Sequence, residues 1–485
     1  MNDLLTKLLT ALDEHAPRRA VLETYYAGRQ PLAFLSPDAR AAIGTRFGVM
    51  ASNLPRLAVN ALAERLRVSG FRTAGQPNAG LWADWLRNDL DQLAGVAHRE
   101  ALLLGECFVL VWADADGPRV TIESPRQVAV RRDPATRRIT AAVKRWEDGT
   151  GTMAVLYEGD RITRYRSESL GATTTGFTPV ATLPNPFGQP PVVALRNSDR
   201  LLGPGASEVD DLVPLVDGLN KTLADMLVSS EYAGRPRRWA TGIELEERPV
   251  LDAAGNPVID EDGEPVTVTV NPYPEGNRMM ISEDPASKFG SVPAADLAGY
   301  DSAVRVLLGQ IAAVSALPAH YLGVLGDQPP SADSLRAAEA SLTARAEARQ
   351  ATFGRAWEEV GRLMVAARTG SNAAAVDVTV QWADAATRSI AQEADAVVKL
   401  AAAGLLPPDY ALARLGYSDD QIAEIRRARE REQVGKTTAE VAARAELAAQ
   451  LQRDQGLSQP AALAAAGLFA AAAETRTDTA AVPTA

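Results

Sequence analysis

The sequence Ala316-Leu-Pro-Ala-His-Tyr-Leu-Gly-Val-Leu-Gly-Asp-Gln-Pro-Pro330 closes the stretch that decides the fold, which runs from Gly205 to Ser331. This stretch predicts an outgoing amphipathic helix, a short excursion rich in proline and glycine, a returning helix, and then the apolar loop. Two helices that leave a body, carry a small module at their far end and return form a stalk. A stalk of this kind is more typical of a ring-forming conduit than of an enzyme.

The outgoing helix is predicted to begin shortly after Gly205. Ser207 and Asp210 have the spacing of a capping box, with Asp in the position that Glu or Gln usually takes. The apolar residues of Val209–Leu227 fall on one arc of a helix that turns by about 100° per residue. Pro214 lies inside this helix and should kink it unless the helix begins later.

The opposite arc of the outgoing helix is mainly acidic. Asp210, Asp217 and Asp225 lie on it together with Lys221. One face of the helix is therefore expected to pack, while the other presents carboxylates.

Residues 243–292 predict a small β module between the two helices. Six prolines and several glycines interrupt this segment. Between them, Val266-Thr-Val-Thr-Val270 alternates as a half-buried strand does, and Met279-Met-Ile281 is a second short apolar run. The module is too short for a large core, so we expect neighbouring subunits to stabilise it.

The returning helix is predicted over residues 294–315. Its apolar residues are spaced 3, 4, 3, 4 and 3 apart, which is the seam of a coiled-coil-like contact with the outgoing helix or with a neighbouring subunit. The seam consists of Leu297, Tyr300, Val304, Leu307, Ile311 and Val314.

A long helix is predicted after the apolar loop. Ser331 or Asp333 would cap it, and it would run to about Arg368, a length on the order of 55 Å if it is continuous. The run from Val376 to Trp382 then alternates apolar and polar residues. It predicts a strand that returns to the sheet of the N-terminal region.

The first 205 residues predict both helices and strands. Helices with one apolar face are indicated near Leu4–Leu12, Leu54–Leu66 and Asp89–Leu104. From Glu106 to about Arg166, short β-rich runs separated by turn residues indicate an antiparallel meander packed on those helices. The predicted fold class is therefore α+β, with helix predominating.

The last hundred residues are rich in alanine. They predict helices over about residues 387–402, 409–415 and 418–433. Beyond Gly456 alanine, threonine, glutamine and proline dominate, so the tail is predicted to be disordered.

Composition limits the class of protein. An apolar content of 46% over 485 residues is enough for real cores, and no run reaches the roughly 18 apolar residues that a membrane span requires. The N-terminus lacks the pattern of a signal peptide, so we expect a soluble protein without a membrane partner. The one cysteine, Cys107, excludes an intrachain disulfide, and its apolar neighbours predict a buried strand thiol.

Charge is unevenly distributed along the chain. The formal net charge of -11 argues against a tight, general nucleic-acid binder, because such proteins neutralise phosphates with Lys and Arg. Residues 126–166 run against this trend, with ten Lys or Arg and five Asp or Glu. This stretch is either a DNA-facing patch, or a solvated or intersubunit face of the meander.

No catalytic, cofactor or metal site is predicted. Gly435-Lys-Thr437 resembles the end of a phosphate-binding loop, but Glu430 stands where the earlier glycine is required, so we interpret the segment as an exposed helix break. His15, His98 and His320 lack the spacing of zinc ligands.

Two acidic runs could be mistaken for calcium loops. Asp114-Ala-Asp-Gly117 and Asp260-Glu-Asp-Gly263 lack the full set of ligands, and Asp-Gly between β runs is typical of a hairpin turn. We interpret both as turns.

Several short motifs occur along the chain in a specific order. They are Tyr25-Tyr-Ala-Gly28, the run from Asn60 to Phe71, Leu103-Leu-Gly-Glu-Cys-Phe108, Asn185-Pro-Phe-Gly188, the helix from Ser207 to Ala233 with Arg237-Arg-Trp239, and Leu317-Pro-Ala-His-Tyr-Leu-Gly323. Together, over roughly residues 20–435, they resemble the portal proteins of tailed phages, of the kind found in long-tailed siphophages.

The resemblance implies a dodecameric ring at one vertex of the capsid. A terminase packaging motor would drive double-stranded DNA through the ring, and the DNA would later leave by the same path through a head-tail adaptor. Major capsid and scaffolding proteins are further implied partners. The protein would be found in the virion, and in the host cytoplasm during assembly.

The regions of the family can be carried onto this chain. The implied wing is residues 1–205 with about 332–385, and the implied stem is residues 206–242 and 293–315. The clip would be 243–292, the tunnel loop 316–331, the crown 386–455, and the tail 456–485.

The resemblance also suggests which residues face DNA. Asp210, Asp217 and Asp225 would line the channel and repel phosphates at close range. The candidates in the tunnel loop are His320, Tyr321, Leu322, Val324, Leu325, Asp327 and Gln328.

Two other classes of protein remain as alternatives. An adaptor or scaffolding protein should be shorter or more highly charged, without the β excursion between the stalk helices. A nucleic-acid-processing enzyme subunit should carry clustered metal-binding carboxylates or a phosphate loop, and neither is evident.

Overall fold

The chain forms two compact units, Met1–Ala386 and Thr387–Ala485. The computed structural model describes residues 2–34, 50–198, 200–201, 205–234, 238–242, 245–252, 255–260, 263–270, 285–291, 297–323, 331–386, 390–415, 417, 419–456 and 458–467. Among these residues, no helix combines the length and the apolar content needed to span a lipid bilayer.

The first unit opens with helices that each bury an apolar face. They are α1 (Asp3–Glu14), α2 (Ala16–Ala27), α3 (Leu54–Ala63), α4 (Ala79–Arg87) and α5 (Leu90–Leu104). The four leucines that α1 buries are spaced by three, one and three residues, as expected for one helical stripe. The helices predicted near Leu4, Leu54 and Asp89 are therefore confirmed.

In the described part of the chain before the stalk, the first unit has ten strands. They are β1 (Val68–Thr73), β2 (Gln76–Pro77), β3 (Glu106–Asp114), β4 (Gly117–Glu123), β5 (Val128–Arg132), β6 (Ile139–Glu147), β7 (Thr152–Tyr157), β8 (Arg161–Ser167), β9 (Thr178–Pro184) and β10 (Val192–Arg196). Strands β5 to β9 form an antiparallel meander in sequence order, and β3 lies between β10 and β4 in a second sheet. The predicted meander is confirmed, and so is the hairpin turn after Asp114.

Two antiparallel helices follow, and the described residues between them include four short strands. The helices are α6 (Val213–Gly234) and α7 (Ala298–Ser315), and the strands are β11 (Arg238–Thr241), β12 (Glu246–Pro249), β13 (Thr267–Val270) and β14 (Lys288–Ser291). Strand β11 pairs with β14, and β12 pairs with β13. The strand predicted at 266–270 is confirmed, whereas the run at 279–281 lies outside the described residues.

The long helix α8 (Ala332–Thr369) follows the apolar loop and spans about 57 Å at 1.5 Å per residue. Ser331 caps it by accepting a hydrogen bond from the backbone N–H of Ser334 at 3.2 Å. The strand β15 (Thr379–Trp382) then pairs with β1. Both the predicted helix and the predicted return to the N-terminal region are confirmed.

One hydrophobic core joins the N-terminal helices, the β3 sheet and α8. Trp85, Phe353 and Trp357 are fully buried in it, and the rings of Trp85 and Trp357 meet edge to face at 4.9 Å. Cys107 is buried on β3, as predicted. The α+β fold class is confirmed.

The second unit is helical where it is described. It contains α9 (Ile390–Ala402), α10 (Pro408–Arg414), α11 (Asp419–Gln455) and α12 (Gln459–Ala465). Helix α11 continues through Gly435, so the predicted helix break at this position is wrong. One interior glycine costs a helix about 1 kcal/mol, which a helix of 37 residues can absorb.

Helix α12 lies within the segment that the sequence predicts to be disordered. It packs on α11 through Ala448, Ala462 and Ala466. Small side chains let two helices approach closely, so an alanine-rich segment can bury itself with few large apolar residues. Residues 468–485 lie outside the described residues.

Candidate functional site

The base of the stalk is built around a capped turn. The backbone N–H of Ser207 donates to Asp210 Oδ2 at 3.1 Å, and that of Val209 donates to Ser207 Oγ at 3.0 Å. One 3-10 turn, Asp210–Leu212, precedes α6, which begins at Val213. Pro214 therefore lies in the first helical turn, where no backbone N–H is needed, and the kink predicted for a longer helix is not required.

The three aspartates of the acidic face make different contacts. Asp210 pairs with Arg18 of α2, and Asp225 pairs with Lys221 one turn earlier on α6. Asp217 accepts the hydroxyl of Tyr25, which lies 2.9 Å from both carboxylate oxygens. Two of the three carboxylates are thus held by cations of the same chain.

Asp217 differs from the other two because its partner is neutral. Burial, followed by the hydrogen bond to Asp217, raises the pKa of Tyr25 to about 12. The Tyr25 hydroxyl therefore keeps its proton at neutral pH and orients the carboxylate without cancelling its charge. Asp217 is half-exposed, so this charge acts on the surroundings of α6.

A buried carboxylate joins both ends of the stalk to the long helix. Glu208 Oε1 accepts from Arg349 Nη2 at 2.8 Å, and Glu208 Oε2 accepts from Arg345 Nη1 at 3.3 Å. Arg345 also donates to the carbonyl oxygens of Val314 and Ser315, both at 3.1 Å. The segment that leads into α6 and the end of α7 therefore meet at Arg345 of α8, and Arg349 adds a second bond to Glu208.

This Glu208 cluster has a weak sequence signal. Arg345 and Arg349 are four residues apart on α8 and so lie on one face. Their acidic partner, Glu208, lies 137 and 141 residues earlier in the sequence. No pattern in the neighbouring sequence identifies Glu208 as that partner.

The two stalk helices, α6 and α7, pack along the predicted seam. Ser229 Oγ and Tyr300 Oη are hydrogen-bonded at 3.0 Å, and Leu307 lies against Gly218. Ile311 is fully buried, but Val314, the last seam residue, is 39% exposed, and Val306 on another face of α7 is 60% exposed. The seam is thus confirmed except at its end, where α7 turns away into the loop.

The first half of the apolar loop is anchored to the body. Leu317 is buried in the main core, and a 3-10 turn follows over Ala319–Leu322. Tyr321 and Leu322 pack against the same core, and His320 Nε2 lies 3.7 Å from Glu339 Oε1 of α8.

Glu339 also pairs with a second partner. Arg65 Nη2 donates to Glu339 Oε2 at 3.1 Å, and Arg65 Nη1 donates to the carbonyl oxygen of Ala385 at 2.8 Å. The loop candidates thus divide into an anchored group and a second group, Val324, Leu325, Asp327 and Gln328, that lies outside the described residues.

The β module between α6 and α7 exposes apolar side chains. Leu245, Leu251, Ile259 and Val268 are each more than half exposed. Residues 243–292 also hold eleven Asp or Glu against three Lys or Arg. The module thus combines an apolar surface with a strong negative charge.

Half of the cations in residues 126–166 are paired within the chain. The pairs are Arg126 with Glu23, Lys144 with Glu123, Arg145 with Asp13, Arg161 with Glu158, and Arg166 with Asp148. Much of the apparent basic patch is therefore neutralised where the meander meets its own turns and the N-terminal helices.

The buried histidine of the core has a structural role. His98 is fully buried and accepts a hydrogen bond from Trp357 Nε1 at 2.8 Å, and burial lowers its pKa to about 3. In the described part of the chain, no three His, Cys, Asp or Glu side chains are grouped closely enough to hold a metal ion.

Comparisons with known proteins agree with one another. The family described as "Phage portal protein, SPP1 Gp6-like" matches residues 5–435. The portal protein of Mycobacterium phage L5 is 30% identical over 395 residues, covering 77% of this chain and 77% of that protein. The portal protein of Mycobacterium phage D29 is 30% identical over 443 residues, covering 86% of this chain and 85% of that protein.

Among solved structures, the chain is similar to chains of gene transfer agent (GTA) particles. One, from the neck of an empty GTA particle, has a TM-score of 0.46 at 13% identity and covers 82% of this chain and 93% of that one. Another, from the virion of a native particle, has a TM-score of 0.42 at 12% identity, with the same coverage.

Proposed function

The chain belongs to the SPP1 Gp6-like phage portal proteins, and from this premise we propose how its parts form and line the DNA conduit. A portal protein is the conduit for DNA at the capsid vertex, a structural component of the virion and not an enzyme. Its copies form an oligomeric ring. Membership of this family excludes the alternatives of an adaptor, a scaffolding protein and an enzyme subunit.

The ring is proposed to contain twelve copies in a head-to-tail arrangement that closes by rotation. Apolar side chains that one copy leaves exposed support such an arrangement, because a neighbour would cover them. They include Val306 on α7, and Leu251 and Val268 in the β module.

The observation that carries the proposal is the return of the stalk to its starting point. Helix α6 leaves from Glu208, and α7 comes back to Val314 and Ser315, which share Arg345 with Glu208. A projecting helix pair held at one rigid base can present a far module to one partner and a near loop to another. We therefore assign the stem to residues 206–242 and 293–315, and the clip to residues 243–292.

The remaining regions follow from this assignment. The wing is residues 1–205 with 332–385, the tunnel loop is 316–331, and the crown is 386–455, with a tail over 456–485. Anchoring of His320, Tyr321 and Leu322 supports a loop whose base is fixed to the body. Val324, Leu325, Asp327 and Gln328 are proposed to supply its contacts with DNA.

The acidic residues of the stem are proposed to face the lumen. Repulsion between carboxylates and phosphates falls off within about 8–10 Å at physiological salt, so it acts only on DNA close to the wall. Asp217 is the strongest candidate, because Asp210 and Asp225 already pair with Arg18 and Lys221. A ring of such charges keeps DNA from adhering as it moves.

The charge and the exposed apolar side chains of the clip indicate which partners could bind there. The acidic, apolar clip suits a partner with a basic surface, and we propose that the terminase motor and later the head-tail adaptor dock there. Major capsid and scaffolding proteins are proposed to contact the wing. The ring would occupy the portal vertex of the virion after assembly in the host cytoplasm, and it needs no cofactor.

The lumen assignment is tested with a matched pair of variants. Asp217→Lys places one cation per copy on the proposed lumen face, whereas Tyr25→Phe removes the hydrogen bond and leaves the carboxylate charge. Packaging is measured as the amount of nuclease-protected DNA in capsids assembled with each variant.

We expect Asp217→Lys to reduce packaging several-fold at low salt and to recover at high salt, while rings still form. Tyr25→Phe should package DNA like the wild-type protein. Normal packaging by Asp217→Lys at low salt would contradict the lumen assignment.

A further inference from the structure

The positive charge left over in residues 126–166 is concentrated at one end of the meander. Arg132 ends β5, and Arg138 immediately precedes β6. The turn between them uses its own acid, because Ala135 N and Thr136 Oγ1 donate to the Asp133 carboxylate at 2.8 and 2.9 Å. Asp133 keeps its negative charge in this turn, but among the described residues it forms no ion pair with Arg132 or Arg138.

Two further arginines reach this place from other elements. Arg196 ends β10, and Arg362 lies on α8 three residues after Glu359. Helix α8 packs on β10, and Ala194 of β10 and Ile139 of β6 pack against the same hydrophobic cluster. The end of the meander, β10 and α8 thus converge, and we call the four side chains Arg132, Arg138, Arg196 and Arg362 the arginine recess.

Glu359 of α8 is the carboxylate that interacts with most of the arginine recess. Glu359 interacts with Arg362, Arg138 and Arg132, yet burial dominates and raises the pKa of Glu359. Burial also lowers the pKa of Arg132, whose Nη2 atom is enclosed without a hydrogen-bond partner. Three guanidinium groups thus act on one poorly solvated acid, and the fourth, that of Arg196, acts on Arg132.

The charge of the recess is not balanced within the chain. Over the described ranges, none of its four arginines lies within ion-pairing distance of a carboxylate. Glu106, which also lies near Arg132, already pairs with Arg19 at 3.4 Å. Four arginines against Glu359 and Asp133 leave an excess of positive charge in a half-buried place, where unpaired charge is costly.

We propose that the arginine recess binds carboxylate side chains of a neighbouring copy and so forms an electrostatic contact between subunits. This inference rests on the proposed function, because it requires the ring. Guanidinium groups form paired, charge-assisted hydrogen bonds with carboxylates, which gives such a contact orientation as well as strength.

The geometry favours a neighbouring copy over DNA. Arg132, Arg196 and Arg362 are half-buried, and only Arg138 is exposed. A flexible acidic side chain can enter a recess of this kind, whereas the backbone of a duplex is rigid and best reached by projecting cations. Each copy also carries a net charge of -11, so a closed ring needs contacts that offset repulsion between copies.

The test compares two double variants that remove the same charge. Arg138→Ala with Arg362→Ala empties half of the arginine recess. Arg126→Ala with Arg161→Ala removes two exposed arginines that already pair with Glu23 and Glu158. Sedimentation velocity over a dilution series measures the protein concentration at which half of each protein is in rings, at low and high salt.

We expect the recess variant to need at least about tenfold more protein than wild type for half-assembly at low salt, with a smaller difference at high salt. The control variant should assemble like the wild-type protein. Circular dichroism and thermal melting establish that the variants fold, and if the double variant does not fold, Arg138→Ala alone gives the same comparison at an exposed position.

Several results would overturn the inference. Assembly of the recess variant at the wild-type concentration would do so, as would normal rings that no longer retain a short DNA duplex, since the patch would then face DNA. Absence of rings from the wild-type protein would overturn the proposed function and this inference together. Wild-type rings with an unaffected recess variant would overturn the inference alone.

Discussion

Glu208 connects three elements through one carboxylate, and its loss should be costly. Its side chain is 9% exposed, and Glu208→Gln would leave Arg345 and Arg349 without a balancing charge. Breaking a buried ion pair from one side typically costs about 3–5 kcal/mol, and the partial exposure of Arg345 reduces this to about 2–4 kcal/mol. Chemical denaturation of the variant measures the loss.

Glu347→Gln is the matched control for this change. Glu347 is exposed on α8, between the two arginines of the Glu208 cluster. Its substitution should alter the free energy of unfolding by no more than about 0.5 kcal/mol. Equal stability of the two variants would mean that the Glu208 cluster does not hold the stalk.

His98 gives the stability of the protein a dependence on pH. Burial lowers the pKa of His98 in the folded state from 6.5 to about 3. Between pH 3 and pH 6.5 the imidazole is therefore protonated in the unfolded chain and neutral in the folded chain. Stability from this group is complete above pH 6.5 and is lost as the pH falls towards 3. From pH 7 to pH 5 we expect a loss of about 2 kcal/mol in the free energy of unfolding.

The measurement is the slope of unfolding free energy against pH. His98→Gln should flatten the slope between pH 7 and pH 5, whereas His15→Gln, at an exposed position, should leave it unchanged. The same slope in His98→Gln as in the wild-type protein would contradict the assignment of the buried neutral imidazole.

At the scale of elements, the stalk begins where the backbones of Gly105 and Gly205 are in contact. A Cβ at Gly205 would overlap the carbonyl oxygen of Gly105, which has a positive φ of 88°. Because backbone atoms on both sides must shift, Gly205→Ala should destabilise the first unit by about 2–4 kcal/mol.

A second glycine provides the comparison. Gly95 lies within α5 with ordinary space around it, so Gly95→Ala should raise stability by about 0.5–1 kcal/mol. Thermal melting of the two variants distinguishes them by sign. A Gly205→Ala protein as stable as the wild type would show that the contact between Gly105 and Gly205 can relax.

Local sequence patterns predicted most elements because each buries one face. Each of these patterns depends on residues that are close together in the sequence. Examples are the seam of α7, the Ser331 cap of α8 and the alternation before Trp382. Helix α11 was underestimated because it is polar on all sides, so its apolar pattern does not mark where it ends.

The side-chain contacts of the acidic residues could not be predicted from local sequence patterns. Asp210 and Asp217 meet Arg18 and Tyr25 across 192 residues of sequence. Helical periodicity in the sequence places both aspartates on one face, but it does not say what that face touches. In the structure Asp210 lies in the 3-10 turn before α6, and Asp217 lies on α6. Only the packing of α2 beside α6 distinguishes Asp217, with its neutral partner, from Asp210, with its cation.

At the scale of the whole molecule, charge is divided by region. Much of the net charge of -11 comes from residues 243–292, with eleven acids and three bases, whereas the arginine recess lies where the end of the meander, β10 and α8 converge. A head-to-tail ring uses two different surfaces of each copy, so an uneven distribution can favour assembly while the channel remains repulsive to DNA.

Electron cryomicroscopy of the purified full-length protein is the most direct test of the conduit. We expect a closed ring with an axial channel, in which residues 316–331 lie nearest the axis and the two stem helices lead to a β module at one end. A monomer, an open array without a channel, or a ring in which residues 316–331 lie away from the axis would contradict it.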